Sequence, residues 1–214
     1  MIEKINAKGY ETISKASDNV INFLDDFLKS NEKPICVAEI GVGVGATSVE
    51  IVKRLRDIDS YYFFSFEHDV NELYSDLTST DYCKCKLYPR GNTTAIYDSY
   101  NWNLSLLCLE DNVAFDLVYL DGAHSFFHDA LATVLLKRLV TPGGILIFDD
   151  VFWSHQSSPT QNPQKNPKIL EEYTLEQIET QQIKMVIDLF MENDDEWERI
   201  GDINWQTVYR KISK

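Results

Sequence analysis

Ala38-Glu39-Ile40-Gly41-Val42-Gly43-Val44-Gly45-Ala46-Thr47-Ser48 is the stretch on which the reading of this chain turns. The apolar run Ile35 to Ile40 leads into it, and Ser48 to Leu55 follows with apolar residues at Val49, Val52 and Leu55. The pattern is strand, glycine turn, helix. Three glycines at alternate positions permit positive φ and leave no Cβ in the way of a ligand lying against the backbone. The free N–H groups that open the next helix favour negative charge, so a nucleotide-like or carboxylate-bearing cofactor suits the turn. Gly41-x-Gly43-x-x-Ala46 also satisfies the relaxed dinucleotide fingerprint, so an NAD-type ligand competes for the same place.

Upstream, Val20, Phe23, Leu24, Phe27 and Leu28 recur at helical spacing within Tyr10 to Ser30, with Ser17 or Asp18 as N-cap. Residues 1–33 therefore read as a helical segment preceding the first strand. Downstream, strands are expected at Tyr61 to Phe66, Lys84 to Tyr88, Phe115 to Leu120 and Ile145 to Phe148. Between them, Pro89 to Thr94 reads as a loop, Ala95 to Leu109 as a helix, and Pro142-Gly143-Gly144 as a turn. Phe127, Ala130, Leu131, Val134, Leu135 and Leu139 mark the apolar face of another helix. A last helix over Leu175 to Met191 precedes a hairpin of Glu196 to Ile200 and Gln206 to Ile212. Strands alternating with helices at this rhythm predict an α/β fold. The expected architecture is a Rossmann-like, doubly wound, mostly parallel seven-stranded sheet closed by an antiparallel hairpin, in a single domain spanning 34–214.

In such a sheet the carboxyl ends of the strands share one edge, where ligands bind. Glu39, Glu67, Asp121, Asp149 and Asp150 converge there, and that many carboxylates call for a cation among them. Asp121, Asp149 and Asp150 are hard oxygen donors, which suit Mg²⁺, Mn²⁺ or Ca²⁺ better than Zn²⁺. The plainer alternative is that Asp121-Gly122 is a turn and Asp149-Asp150 a cap. His124 would lie at the mouth of the crevice, either as a base for a bound hydroxyl or as a packing residue near a helix start. From Val151 to about residue 170 the pattern lapses into Ser, Pro, Gln and Asn, with Trp153 and His155 near its start. A segment of this length beside an acidic pair reads as a lid, although its far half, Gln161 to Lys168, also reads as plain surface loop.

Composition narrows the function classes. Hydrophobic residues make up 44% of 214, enough for a sizeable core. A net charge of −14 and no basic run disfavour a nucleic-acid backbone as partner, although a local patch would survive this balance. No stretch reads as a signal peptide or membrane span, so a cytoplasmic protein without a membrane partner is expected. Cys36, Cys83, Cys85 and Cys108 lack zinc-site spacing and read as small buried hydrophobes. His124 and His128 have the spacing of a zinc helix, but Ser125 stands where the glutamate would be. A homodimer is compatible with the sequence.

Glu39-x-Gly41-x-Gly43-x-Gly45, Glu67 after the second strand, Phe115 to His124 and Gly143 to Asp150 together resemble a class I S-adenosylmethionine-dependent methyltransferase. Asp121-Gly122-Ala123-His124-Ser125 with Gly144 to Asp150 is similar to the metal-dependent O-methyltransferases, including the macrocin type and, more distantly, catechol O-methyltransferase. The resemblance covers about Pro34 to Val151 and the closing hairpin. It implies that Gly41, Gly43 and Gly45 pass beneath the methionine part of S-adenosylmethionine. It places Thr47 near the cofactor carboxylate, Glu39 near its amino group, Glu67 on the ribose hydroxyls, and Asn92 and Thr93 at adenine. It also implies Asp121, Asp149 and Asp150 as ligands of Mg²⁺ or another divalent cation, a small-molecule acceptor of sugar or phenol type, and His124 where catechol enzymes carry a lysine base. Independently of the resemblance, Glu39 suits an ammonium better than a phosphate. The rival classes are an NAD-linked oxidoreductase and a non-catalytic cofactor-binding module.

Overall fold

The computed structural model describes residues 1–11, 13–93, 99–110 and 112–212. Among them, seven strands form one sheet of order β3-β2-β1-β4-β5-β7-β6. These are β1 (Cys36–Ile40), β2 (Ser60–Phe66), β3 (Lys86–Asn92), β4 (Phe115–Leu120), β5 (Val140–Phe148), β6 (Trp197–Ile203) and β7 (Gln206–Lys211). The first five pair in parallel, and β7 pairs antiparallel with both β5 and β6. Helices α1 (Asp18–Ser30), α2 (Ala46–Arg54) and α3 (Glu67–Thr78) come early in the chain; α4 (Tyr100–Glu110), α5 (Phe126–Leu139), α6 (Ile169–Glu172), α7 (Leu175–Glu179) and α8 (Gln182–Phe190) follow. This is the single-domain, Rossmann-like α/β architecture expected from the sequence.

Alternation along the strands sorts the core into two layers. Val37, Tyr61, Phe63, Leu117 and Ile147 pack with Val20, Leu24, Ile51 and Leu73 of α1 to α3. Ala38, Ile40, Phe64, Val118 and Phe148 pack with Leu104, Leu136 and Val186 of α4, α5 and α8. A parallel sheet covered on both faces explains why these strands read as continuous apolar runs.

Several boundaries differ from the sequence reading, each for a physical reason. β3 continues through Pro89-Arg90-Gly91-Asn92, paired with β2 as far as Phe66 opposite Asn92. A proline is tolerated there because β3 is an edge strand, where its missing N–H breaks no ladder bond. Thr94 of the expected loop and residues 95–98 of the expected helix lie outside the described residues, and α4 begins at Tyr100. Pro142-Gly143-Gly144 is not a turn between elements but an irregularity inside β5, where the register jumps from Phe115 opposite Val140 to Leu117 opposite Ile145. The helix expected over Leu175 to Met191 is broken into α7 and α8 at Thr180-Gln181, where the buried Gln182 side chain accepts from Phe126 N (2.8 Å) and donates to Gln177 O (3.1 Å). Hairpin strand β6 runs on to Ile203, so the connection is Asn204-Trp205, with Asn204 at φ 58°.

The buried face of α5 is also rotated from the expected one. Asp129, Ala132, Thr133, Leu136 and Leu139 point inward, while Phe127, Leu131 and Val134 are exposed. A helix apolar on every side has no periodicity to orient it; Asp129 does so, because its carboxylate is satisfied by Tyr100 and by Ser125 N at 2.9 Å.

Candidate functional site

Strand order reverses between β1 and β4, which opens a crevice at their carboxyl ends. Gly41, Gly43 and Gly45 all have positive φ there, and Gly45 caps α2 in the left-handed conformation. At Gly41 the need for glycine is absolute, since a Cβ would overlap the Asp121 carbonyl, 2.8 Å from its carbon. Across the crevice, a Cβ on Gly122 would fall 2.6 Å from both Tyr100 Oη and Asp129 Oδ1. Two loops thus meet backbone to backbone.

Beside them lies a cavity of about 230 Å³ lined by Gly41, Phe64, Phe66, Asn92, Tyr100 and Ala123, with Ser65, Ser99, Gly122 and His128. Asn92 is buried, donates through Nδ2 to Thr93 O (3.0 Å), and leaves Oδ1 without a partner. Thr93 and Glu67 are exposed, Glu67 directly after the cavity residue Phe66. Tyr100 and Asp129 were absent from the sequence reading, and His128 entered it only through its spacing from His124. Tyr100 donates to Asp129 and accepts from Ala123 N (3.3 Å), and Ser125 Oγ lies 2.7 Å from His128 Nδ1. The available signal was Asp129, a lone carboxylate in an apolar helix.

The other two expected cofactor contacts, Glu39 and Thr47, do not line this cavity. Glu39 lies in the α1 to α3 layer, 1% exposed, where its carboxylate accepts from Ser48 Oγ (2.7 Å) and from Tyr61. Burial pushes its pKa up to about 7 against the opposing effect of those bonds. Thr47 is buried and its hydroxyl oxygen accepts from Ser17 N at 3.1 Å.

The acidic rim divides in two. Oxygens of Asp121 and Asp150 and a nitrogen of His124 lie within 4.8 Å of one another. His124 Nε2 is 2.9 Å from Asp121 Oδ1 and 3.6 Å from Asp150 Oδ2. Asp149 stands behind this group, accepting from Tyr119 and, through Oδ1, from Asp150 N (2.8 Å). His124 and Asp150 both adopt positive φ, 52° and 51°, a conformation held only where the surroundings enforce it. Burial disfavours the charged imidazole, but the hydrogen bond and charge of Asp121, then Asp150, outweigh it and raise His124 to about 9. Asp149 is raised to about 6, first by burial and then by the charge of Asp121. The surrounding carboxylates thus favour the charged form of this imidazole.

With this geometry in view, a protein family described as a methyltransferase domain matches residues 38–151, more than half of the chain. The chain belongs to that family. The fold of this methyltransferase is similar to that of the O-methyltransferase TomG from Streptomyces achromogenes, solved in complex with SAM (12% identity, 95% of this chain and 83% of that one, TM-score 0.63). It is similar to the SAH-bound methyltransferase PaMTH1 from Podospora anserina (14%, 100% and 86%, TM-score 0.61). A methyltransferase from Geobacter sulfurreducens is similar as well (11%, 99% and 86%, TM-score 0.58). A search of the curated proteins finds no match.

In this methyltransferase the segment after Asp150 lies against the acidic rim. The Trp153 ring is 5.6 Å from that of His124, and His155 sits between Trp153 (4.9 Å) and Tyr173 (4.5 Å). His155 is buried with neither ring nitrogen hydrogen-bonded, and burial lowers its pKa against the charge of Glu172. Gln156 N donates to Ile178 O (2.9 Å), tying the near half of the segment to α7. No helix among the described residues is long and apolar enough to cross a membrane.

Proposed function

We propose that this methyltransferase transfers the methyl group of S-adenosylmethionine to a hydroxyl of a small molecule, at a rim that holds a divalent cation. The observation that carries the reading is the double duty of Asp121. Its backbone carbonyl abuts Gly41, and its side chain reaches His124. Donor cavity and acidic rim are therefore back to back.

The residues fit the donor. Phe64, Phe66 and Tyr100 offer flat apolar walls, and the unpartnered Oδ1 of Asn92 is an acceptor for an exocyclic amino group. Glu67 and Thr93 flank that cavity for the ribose and the base, and the opening of α2 with Thr47 suits a carboxylate. Glu39 acts from behind, joining α2 to β2 so that Gly41, Gly43 and Gly45 keep their shape. Bound there, S-adenosylmethionine supplies an electrophilic methyl group, and the chain's contribution is alignment. The dinucleotide reading of the same turn gains no support from the family match, and the strained, charged rim argues against a module without catalysis.

The residues also fit a cation: Asp121 and Asp150 offer the hard oxygen donors that suit Mg²⁺ or Mn²⁺, with His124 beside them and Asp149 behind. Such an ion would lower the pKa of an acceptor hydroxyl. Next to the rim is a second cavity of about 300 Å³, whose lining includes Asn19, Tyr119, Asp149, Asp150, Trp205 and Gln206. Amides and carboxylates around one indole favour a hydroxyl-rich acceptor, of sugar rather than phenol type. A second reading rests on the 2.9 Å contact of His124 with Asp121, since a proton on Nε2 and a bound ion are alternative ways to balance the same carboxylates. EDTA separates the two: methyl transfer should vanish while S-adenosylhomocysteine still binds, and turnover unaffected by EDTA would leave the imidazolium reading. Exposed Trp102, Leu109, Phe127 and Leu131 on α4 and α5 support a homodimer, which light scattering on Leu131→Glu against the native chain would test.

A further inference from the structure

The segment before α1 lies across the glycine turn. A Cβ on Gly43 would face Ile13 at 3.8 Å, and Ser17 N donates to Thr47 Oγ1. The same segment is fastened at its other side to the far end of the chain. Gln206 Nε2 lies 3.0 Å from Ser17 Oγ, and Asn19 Nδ2 donates to Gln206 Oε1 (2.7 Å) and faces Ile203 O at 3.4 Å. Asn19, Gln206 and Thr47 are all at least nine-tenths buried. Buried amides paired across such a separation in sequence fix one arrangement, because breaking one bond leaves its partner unsatisfied. The hairpin turn that carries Gln206 is itself held to the acidic rim, Val151 N donating to Trp205 O at 2.9 Å.

A hydroxyl has one proton to donate and two lone pairs. With Ser17 N–H already on the Thr47 oxygen, the Thr47 proton is free to point at an anion beside the start of α2. We infer that Gln206 is a positioning residue: through Ser17 and Asn19 it holds residues 13–19 over the glycine turn, so that Thr47 donates to the carboxylate of the methyl donor. This rests on the reading that the turn of Gly41 to Gly45 holds that donor.

The test is calorimetric titration of the full chain with S-adenosylhomocysteine and, separately, with 5′-methylthioadenosine, which lacks the carboxylate. Thr47→Val and Gln206→Ala should each weaken S-adenosylhomocysteine about tenfold, the double variant losing no more than about twofold beyond Thr47→Val alone. Gln206→Glu, which keeps the acceptor for Asn19 and replaces the Nε2 donor by an oxygen to which the Ser17 hydroxyl can donate, should bind within about twofold of the native chain, and Gln206→Ala should leave 5′-methylthioadenosine unchanged. If Gln206→Ala does not fold, Asn19→Ser takes its place in both titrations. Equal loss for both ligands, losses that multiply in the double variant, or native affinity in Gln206→Ala would overturn the inference. If the native chain itself fails to bind S-adenosylhomocysteine, the donor reading falls first and this inference with it.

Discussion

The two cavities at the carboxyl edge of the sheet are lined by neighbours of Asp121, Gly41 and Gly122 in one and Tyr119 and Asp150 in the other, yet are built on opposite terms. The one beside Gly41 is shaped by backbone and rings, with a single unpartnered amide oxygen in Asn92. The one beside Asp149 and Asp150 is shaped by charges and amides. Backbone contacts cannot yield, whereas charges can be rebalanced by a proton or an ion. Changes on the first side should therefore act through the fold, and changes on the second through chemistry.

The sharpest break is Gly41→Ala. A φ of 86° and overlap with the Asp121 carbonyl leave no relaxed position for a methyl group, so a loss of more than about 4 kcal/mol in chemical denaturation is expected. A variant close to native stability would show that the two sides do not meet at Asp121. Glu39 tests what lies behind the first side. Its pKa is raised to about 7 from 4.5, so the folded state binds more protons, and the contribution of Glu39 to stability is fully present below pH 4.5 and is lost as pH rises through 7. Glu39→Gln removes that decline: its stability relative to the native chain should improve by up to about 3 kcal/mol between pH 4 and pH 8, and parallel pH profiles in thermal melts would refute the burial argument.

On the second side, Asp121→Asn should lower methyl transfer about 100-fold while S-adenosylhomocysteine affinity stays within about threefold. Equal losses in both would mean that chemistry and donor binding are not separable at this residue. The smallest effect is expected from Asn92→Ala, about fivefold in S-adenosylhomocysteine affinity, and an unchanged affinity would take the adenine contact away from Asn92.

Much of this was legible in the chain because it depends on local chemistry. The run Ile35 to Ile40 followed by alternate glycines can make little other than a strand, a turn open to a ligand, and a helix. Phe115 to Asp121 and Ile145 to Asp150 announce buried strands that end in carboxylates, and the parallel sheet brings those ends together. Turn residues misled where their setting was a strand, as at Pro89-Arg90-Gly91 on an edge and Pro142-Gly143-Gly144 within β5. The helix after Asp121 misled because it is apolar all round, and only the partners of Asp129 orient it.

By itself, then, the sequence determined the order of the elements, the glycine turn and the collection of acidic groups on one rim, because propensity and period-two burial act between near neighbours. Which carboxylate meets His124, which one turns back to Tyr119, where Glu39 points, and the meeting of Ser17, Asn19 and Gln206 were decided by the tertiary structure alone. Those outcomes depend on groups distant in sequence competing for a limited number of buried hydrogen-bond partners, and that competition is settled only when the whole chain has closed.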